Sequence, residues 1–583
     1  MSTAGCWAVK LKNLIFGHIS MKRHFSTYYF ILFLLVSFYP ELKSQDFLND
    51  AAGEKIAVCT DRTTYVAGEM LFFSAVVFNT TEGAAEQFSR ILYCELISPD
   101  GKKIDSRKYL LQNSSSRGCF AIPEETISGI YFLKFYTRFM RNISTEEYQY
   151  IMLKIINPFK TEVLPGKDAV DTTRPTENKM ETPGVDQSLQ ITTLKRTYAP
   201  REEIRLTITG DKETGVPSSV CLSVIPESTY ENYPFQINPT QNNTKNVAYF
   251  PETRGISLTG QVVGKESGNP LPGVKVNLSI IGDKDIMVVR TDSAGRFFFA
   301  LPDYSGKKDI FLCADNIPNI TPEIFIDNDF CSRPVNLPSP VFTLNEEEMK
   351  SAYKLAVNSR ITSMFRQVAI ATDSAEPDTI HSFYGKPSEV LVLNRYIDLP
   401  KLEEYFTEVP ALAKLRKVQG KKQFRFYTTQ TEMSMYDPLL LVDWVAVNDI
   451  DKILAMLPSE VERIELVNSL YIKGNVTYGG ILSFVSKKNN FAGIDLPTSG
   501  TFVNYRFLEA CTDSIPTGSQ PINLPDSRST VYWNPAVQLT EDGATPLSFT
   551  APDTPGNYYI LLRKISKTGV QVLSKEKIEV ISE

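Results

Sequence analysis

The stretch MLFFSAVVFN, beginning at Met70, is apolar at almost every position. In a strand, Leu71, Phe73, Ala75 and Val77 point to one face, and Met70, Phe72, Val76 and Phe78 to the other, so both faces require cover. Around it, residues 45–158 read as β-structure, closing with SGIYFLKFYTRF, a Gly two residues before a Tyr and then alternation. Residues 159–185 are polar, contain prolines and have no period, which marks a linker. The first pattern then returns. KRTYAPREEIRLTI (Lys195–Ile208) echoes RTTYVAGEMLFFSA (Arg62–Ala75), each with Thr-Tyr before a turn, a Glu four residues after the Tyr, and a strand. In the second copy Ile204, Leu206 and Ile208 alternate with Arg205 and Thr207, as in a half-exposed strand. Tyr65 and Tyr198 fall at equivalent places, and residues 186–252 form a second β unit.

Residues 253–343 again read as a small sandwich. Val274, Val276 and Leu278 alternate, and Ser293-Ala294-Gly295 is expected to be a hairpin tip before Phe297 and Phe299. Residues 344–388 predict a helix over 344–368 and a polar loop. Asn345 suits its N-cap, Glu346–Glu348 suit its positive end, and Met349, Tyr353 and Ala356 line one face. Residues 389–490 alternate strands with short helices, which indicates a compact α/β unit. It has a helix near Lys401–Phe406, two strands around a Gly-Lys-Lys turn, a buried strand Leu439–Val442, a helix Asp449–Leu457 and a strand Val461–Val467. Residues 500–583 predict a C-terminal β-sandwich, in which APDTPGNYYILLRKIS repeats the Gly-x-Tyr signature. The expected class is mainly β and multidomain, with one α/β unit.

Composition sharpens this. Prolines (35) outnumber glycines (31) and aromatics reach 11%, which suits sandwiches joined by turns. Residues 1–44 show a basic MKRH, the apolar YYFILFLLVSFY and the small-residue site Leu42-Lys43-Ser44, the order of a secretory signal peptide, with Met21 an alternative start. The formal charge is −6, and without that basic leader the chain carries about −10. So acidic a chain, with no long basic block, argues against nucleic-acid or anionic-membrane partners. Removing the leader leaves seven of the eight cysteines, an odd number. Cys313 and Cys331 are the best candidate pair, and Cys59, Cys94 and Cys119 share the first domain without a favoured pairing.

Several segments resemble known families. Asp61-Arg62, Tyr65, Gly68-Glu69 and Phe73, with their echo at 195–208, resemble macroglobulin-type domains, the β-sandwich units of alpha-2-macroglobulins. No Cys-Gly-Glu-Gln thioester sequence occurs. The Gly-x-Tyr strand resembles the corner that opens a late strand of immunoglobulin-like sandwiches. Gly260-Gln261-Val262, Pro272-Gly273-Val274, Thr291-Asp292 and Gly295-Arg296-Phe297 resemble the carboxypeptidase regulatory-like domain, a transthyretin-like sandwich that implies an accessory module. Leu439–Asp443, Asn448-Asp449, Pro458–Glu465, Tyr478-Gly479-Gly480-Ile481 and Lys487-Lys488 resemble the plug of TonB-dependent outer-membrane receptors. Trp444 stands where that family has Gly. About 95 residues follow the plug-like unit, too few for a transmembrane barrel of tilted strands.

Candidate chemistry is sparse. His381 is the one histidine outside the leader, so a Ser-His-Asp or Cys-His site would have to use it. Asn448, Asp449 and Asp451 read either as oxygen ligands for a divalent ion or as the acidic start of a helix. Five Asp-Ser/Thr triplets, Asp292-Ser293-Ala294 among them, resemble bacterial O-glycosylation acceptors. No enzymatic activity and no cofactor is expected. The candidate partner-binding residues are Trp444, Asn448 and Asp449, with Trp444 alternatively packing against a neighbouring sandwich. The resemblances imply an exported protein of a Gram-negative periplasm or outer membrane. It would bind or scaffold and present a plug-like unit to a protein partner, such as a TonB-dependent transporter or an envelope assembly complex. The alternatives are a macroglobulin-like protease-binding or defence protein without thioester, and a hydrolase with an unrecognised site.

Overall fold

The computed structural model describes residues 53–79, 89–166, 189–210, 219–231, 248–370, 382–409, 412–418, 420–428, 430–497, 499–511, 525–540, 544–566 and 569–582. The leader, linker residues 167–185 and His381 lie outside these, as do all the Asp-Ser/Thr triplets except 292–294.

The first sandwich comprises β1 (Glu54–Thr60), β2 (Thr64–Val66), β3 (Met70–Asn79), β4 (Ile91–Ile97), β5 (Lys103–Leu110), β6 (Ser115–Ala121), β7 (Gly129–Tyr136) and β8 (Gln149–Ile156). Its sheets are ordered β1-β3-β6 and β2-β8-β7-β4-β5. β3 is buried on both sides, as its continuous apolar sequence requires. Leu71, Phe73, Ala75 and Val77 enter the sandwich core. Met70, Phe72, Val76 and Phe78 meet a second apolar layer outside it.

After β8 the chain starts a second sandwich with β9 (Leu189–Thr193), β10 (Thr197–Tyr198), β11 (Glu203–Gly210) and β12 (Ser219–Pro226), then leaves it. A third sandwich follows: β13 (Ser257–Gly264), β14 (Lys275–Ile280), β15 (Ile286–Arg290), β16 (Arg296–Ala300), β17 (Lys307–Ala314) and β18 (Pro322–Ile326). Here β15 pairs with β14, whereas β16 pairs with β13 in the opposite sheet. The 293–295 turn therefore crosses between sheets and is not a hairpin tip. Asp292 holds it, accepting from Ala294 N at 2.9 Å and Arg296 N at 2.8 Å.

α1 (Glu346–Ile370) begins with a capping box, Glu348 N donating to Asn345 Oδ1 at 2.8 Å and Asn345 N to Glu348 Oε2 at 2.9 Å. Its covered face is Ala352, Leu355 and Ala356, against Val66 and Ile156 of the first sandwich. Met349 and Tyr353, expected on that face, are 45% and 57% exposed. Three small or slim residues allow a closer approach to the sandwich edge than Met and Tyr would.

The α/β body contains β19 (Glu389–Val392), α2 (Leu402–Glu408), β20 (Ala413–Val418), β21 (Lys421–Phe426), β22 (Leu439–Val442), β23 (Val445–Ala446), α3 (Ile450–Leu454), β24 (Val461–Val467), β25 (Tyr471–Lys473), β26 (Val476–Tyr478) and β27 (Ile481–Ser486). Its main sheet is ordered β19-β24-β27-β22-β23, with β20-β21 and β25-β26 as separate two-stranded ribbons. β22 and β27 run parallel.

The chain then retraces its path. β28 (Thr501–Arg506) pairs with β17 and completes the third sandwich. β29 (Tyr532–Asn534), β30 (Ala544–Thr550), β31 (Gly556–Ser566) and β32 (Gly569–Val580) complete the second, ordered β30-β11-β9 and β10-β32-β31-β12-β29. The segments 186–252 and 500–583, expected as two units, thus share sheets. Four strands alone leave one apolar face open, and the chain covers it with strands that arrive after the inserted bodies. Numbered along its own strands, the second sandwich has the same sheet order as the first, 1-3-6 and 2-8-7-4-5.

The echoed turn explains this likeness. Tyr65 and Tyr198 both lie on a short strand running parallel to the last strand of their sandwich. Glu69 accepts from Val66 N at 2.7 Å, and Glu202 from Ala199 N at 3.0 Å. Arg62 pairs with Glu69, and Lys195 with Glu202. The Gly-x-Tyr strands match too. Tyr131 OH donates to Ile127 O at 3.0 Å and Tyr558 OH to Thr554 O at 2.7 Å, the backward bond of a tyrosine corner. No helix among the described residues is long and apolar enough to cross a membrane.

Candidate functional site

β22 and β23 join through a two-residue turn, Asp443-Trp444, with φ of 45° and 60°. Both residues are left-handed, the conformation of a type I′ hairpin turn, which favours Asn, Asp and Gly. Asp443 supports itself by accepting from Ser486 N at 2.7 Å, Ser486 Oγ at 2.6 Å and Phe491 N at 2.8 Å. Trp444 holds the position a Gly would fill without strain, and its ring compensates by burial. It is 9% exposed. It packs with Ile286 and Val288 of β15 and with Tyr384, Leu441 and Val485. Its indole N–H donates to Ser382 Oγ at 3.2 Å, and the Lys284 ammonium lies 5.2 Å from the ring centre.

Of the three expected binding residues, Trp444 therefore faces inward and seats the α/β body on the third sandwich. Val445 adds to this contact beside Phe311 and Cys313 of β17. Asn448 reaches the same sandwich by donating to Asp315, whose carboxylate also pairs with Lys275 at 2.8 Å. Asp449 is the N-cap of α3, accepting from Asp451 N at 3.1 Å and Lys452 N at 3.2 Å. The three form a seat and a cap; they do not share an outward surface.

Such a surface occurs on the β20–β21 ribbon. In its register Lys414 lies opposite Arg425, Arg416 opposite Gln423 and Val418 opposite Lys421, so these six share one face. The other face sends Ala413, Leu415, Phe424 and Phe426 into the α/β core. Among the described residues Arg425 pairs with Asp437 at 3.3 Å, and no carboxylate pairs with Lys414, Arg416 or Lys421. The exposed Tyr427 ring lies 5.3 Å from the Lys414 ammonium and 5.9 Å from the Arg416 guanidinium. Hydrogen bonds from Lys414, foremost, and from Arg416 hold the Tyr427 phenol below its ordinary pKa. The next segment carries Met435, 75% exposed, and Tyr436, whose carbonyl accepts from Arg425 Nη1 at 3.5 Å. The sequence reading missed this face because it sought a basic block along the chain. The available signal was KLRKVQGKKQFRFY, where strand alternation collects cations that are spread out in sequence.

A second polar site is a cavity of about 370 Å³ between the first and third sandwiches, lined by Glu95, Lys134, Phe330, Cys331 and Arg333. Lys134 Nζ donates to Glu95 at 3.0 Å and to Cys331 O at 2.9 Å. Tyr136 OH donates to Glu95 at 2.8 Å and accepts from Cys331 N at 2.7 Å. Burial opposes ionisation of the Cys331 thiol. Its hydrogen bonds with Arg333 and Tyr148 outweigh this, and its pKa falls below the ordinary value. These groups satisfy one another and fasten the 328–335 segment to the first sandwich. Charged residues inside otherwise apolar strands, Glu95 in ILYCELI and Lys134 in GIYFLKFY, were the sequence signal. Among the described residues, no group of three or more His, Cys, Asp or Glu is placed to hold a metal ion.

The cysteines pair differently from expectation. Cys119 is bonded to Cys511, while Cys313 and Cys331 are free. Cys313 donates to Ala446 O at 3.6 Å in the seat of the α/β body, and Cys331 lines the cavity.

No family model matches the chain, and no curated protein matches it. Among solved structures, Escherichia coli alpha-2-macroglobulin activated by porcine elastase aligns with 91% of this chain and 44% of its own length, at 10% identity and a TM-score of 0.23. The Salmonella alpha-2-macroglobulin mutant Y1175G aligns with 93% of this chain and 40% of its own, at 9% identity and a TM-score of 0.22. The chain spans less than half the length of these macroglobulins. At such values the alignments carry no inference about activity.

Proposed function

We propose that this chain is a non-catalytic binding or scaffold protein, exported and associated with the outer membrane, whose three sandwiches hold the α/β body toward a protein partner. The observation that carries this reading is the outer face of the β20–β21 ribbon. Lys414, Arg416 and Lys421 stand without carboxylate partners among the described residues, beside the exposed Tyr427, Met435 and Tyr436. Cations around exposed aromatic rings suit an acidic protein surface, where they set orientation and encounter rate while the rings supply burial. The resemblance of the α/β body to a receptor plug supports a partner such as a TonB-dependent transporter or an envelope assembly complex. The leader-like residues 1–44 support export.

The test uses crosslinked envelopes from cells carrying the full chain, a deletion of 389–497 closed by a short linker, and a triple variant, Lys414→Glu, Arg416→Glu and Lys421→Glu. The reading expects a defined crosslinked complex with the full chain and its loss in both variants. Equal recovery from the deletion refutes the role of the α/β body. Equal recovery from the triple variant refutes the ribbon.

The twin sandwiches favour one second reading, protease binding of macroglobulin type without a thioester. It expects that mixing the chain with a protease slows cleavage of a protein substrate while leaving cleavage of a short peptide unchanged.

A further inference from the structure

The apolar layer outside β3 joins the first sandwich to the second. Phe72, Val76 and Phe78 meet Trp533 and Ile565 there. Four cysteines belong to the same layer. Two are the bonded pair Cys119, on β6, and Cys511, between β28 and β29. The other two are Cys59 on β1 and Cys221 on β12. Their sulfurs lie 2.9 Å apart, and both residues are buried.

We propose that Cys59 and Cys221 form a second covalent cross-link between the first and second sandwiches, made by thiol–disulfide exchange with a disulfide-donor oxidoreductase of the export compartment.

Three observations support the pairing. First, the two sulfurs are nearer each other than unbonded thiols ordinarily rest, and they come from strands of different bodies, so the bond would fix a docking that already exists. Second, the remaining thiols among the described residues offer no competing partner. Cys94 lies in the first sandwich's core, Cys313 in the α/β seat and Cys331 at the cavity. Third, the surroundings favour a thiolate at one sulfur. Burial opposes ionisation of Cys59, but the hydrogen bond from the Cys221 thiol and the Arg563 charge outweigh it and lower its pKa. Arg563 is itself buried, and its Nη2 donates to Ser223 Oγ at 2.8 Å and Asp61 O at 3.5 Å.

Chain order suggests the sequence of steps. The first sandwich is complete by β8, whereas the second awaits β29 to β32. While the second sandwich awaits its last strands, Cys221 is uncovered; it loses its proton and its thiolate attacks the donor's disulfide, forming a mixed disulfide and releasing one donor thiolate. As β12 and β31 dock, the Arg563 charge favours the thiolate of Cys59, which gives up its proton, attacks the Cys221 sulfur and expels the second donor thiolate. The two protein thiols are oxidised, the donor is reduced to a dithiol, and two electrons and two protons pass between them.

The test is a peptide map of protein isolated from the export compartment, unfolded in an alkylating reagent without reductant and then digested. The expected result is one peptide pair joining Cys59 to Cys221, beside the pair joining Cys119 to Cys511, with alkyl groups on Cys94, Cys313 and Cys331. Alkylated Cys59 and Cys221 overturn the proposal, as does either of them joined to another cysteine. In Cys221→Ser, Cys59 should become alkylated while Cys119 stays joined to Cys511. A Cys59 that remains blocked overturns the assignment. The map of the unaltered protein decides the matter even where that variant fails to fold.

Discussion

Replacing Trp444 by Ala and by Gly sets two terms against each other. The ring is 9% exposed, so nearly all of it is covered. An aromatic side chain of this kind buries about 150–250 Å², which at about 25 cal/mol per Å² gives at most roughly 4–6 kcal/mol. Truncations of buried Phe and Trp cost about 3–5 kcal/mol. Trp444→Ala loses this packing and the bond to Ser382 but keeps a Cβ at φ 60°. A left-handed residue with a Cβ costs about 1–2 kcal/mol. Trp444→Gly loses the same packing and also relieves that strain. Glycine's extra chain entropy, about 0.5–1 kcal/mol, offsets part of the gain. The glycine variant should therefore be the more stable of the two by about 0.5–1 kcal/mol, reversing the ordinary order. A chain of several bodies does not unfold as one unit, so a global melt is the wrong readout. Native-state hydrogen exchange of peptides from β22, β23 and β27 reports local opening directly. Trp444→Ala should lower protection there by about two to four orders of magnitude, and Trp444→Gly should regain about two- to fivefold of it. An alanine variant with unchanged protection refutes the burial argument. A glycine variant no better protected than alanine refutes the strain argument.

Glu252 tests the contact between the first and third sandwiches. Burial is the main cause that lifts its pKa from 4.5 to about 7, against the lowering effect of the Ser257 N–H, the Arg138 charge and Tyr93. The folded state thus favours the protonated form. That stability is fully present below pH 4.5 and is lost as pH rises through about 7, at most roughly 3 kcal/mol. From pH 5 to 8 the unaltered protein should lose native-state hydrogen-exchange protection around β4 and β13 relative to Glu252→Gln, and parallel pH traces for the two would refute this. The echoed tyrosines should differ in cost. Tyr65 OH donates to Asp61 Oδ1 at 2.6 Å and accepts from Arg62 N at 3.1 Å, whereas Tyr198 OH accepts from Lys195 N at 3.3 Å. Tyr65→Phe should cost about 2 kcal/mol and Tyr198→Phe under about 1, and equal losses of hydrogen-exchange protection in β8 and β32, the strands paired with β2 and β10, would contradict the assignment.

What sequence revealed and what it hid divide along one physical line. Local stereochemistry was legible. The two faces of β3, the twin Tyr-turn-strand units, the Gly-x-Tyr corners and the Asn345 cap are each decided within a few residues. Pairing between distant segments was not. Nothing near Ser219–Pro226 signals that its partner strand is Gly556–Ser566. The same blindness explains the cysteines, since Cys119 meets Cys511 across 392 residues. The face of α1 was misread because period alone does not say which of two apolar stripes meets a neighbour. Of the two roles open to Trp444, packing holds because β15 supplies Ile286 and Val288. The cations of the β20–β21 ribbon were visible as letters, but their common face depends on its register.

The insertion of one body within another bears on how a load would travel. A domain strung on a single connection can swivel about it, and a pull on that domain reaches the rest through one strand of chain. Here the α/β body is fastened to the third sandwich at its start, where Phe383 N donates to Lys284 O at 3.0 Å, and is left through β28, which pairs with β17 of that same sandwich. Two crossings remove the free swivel. A torque applied at the ribbon therefore acts on a sheet edge, shearing β28 along β17, and passes from there to Cys511 and, through its bond to Cys119, to β6 of the first sandwich. A partner that pulls on the α/β body would load the edge where β28 lies along β17 and, behind it, the covalent bond to the first sandwich.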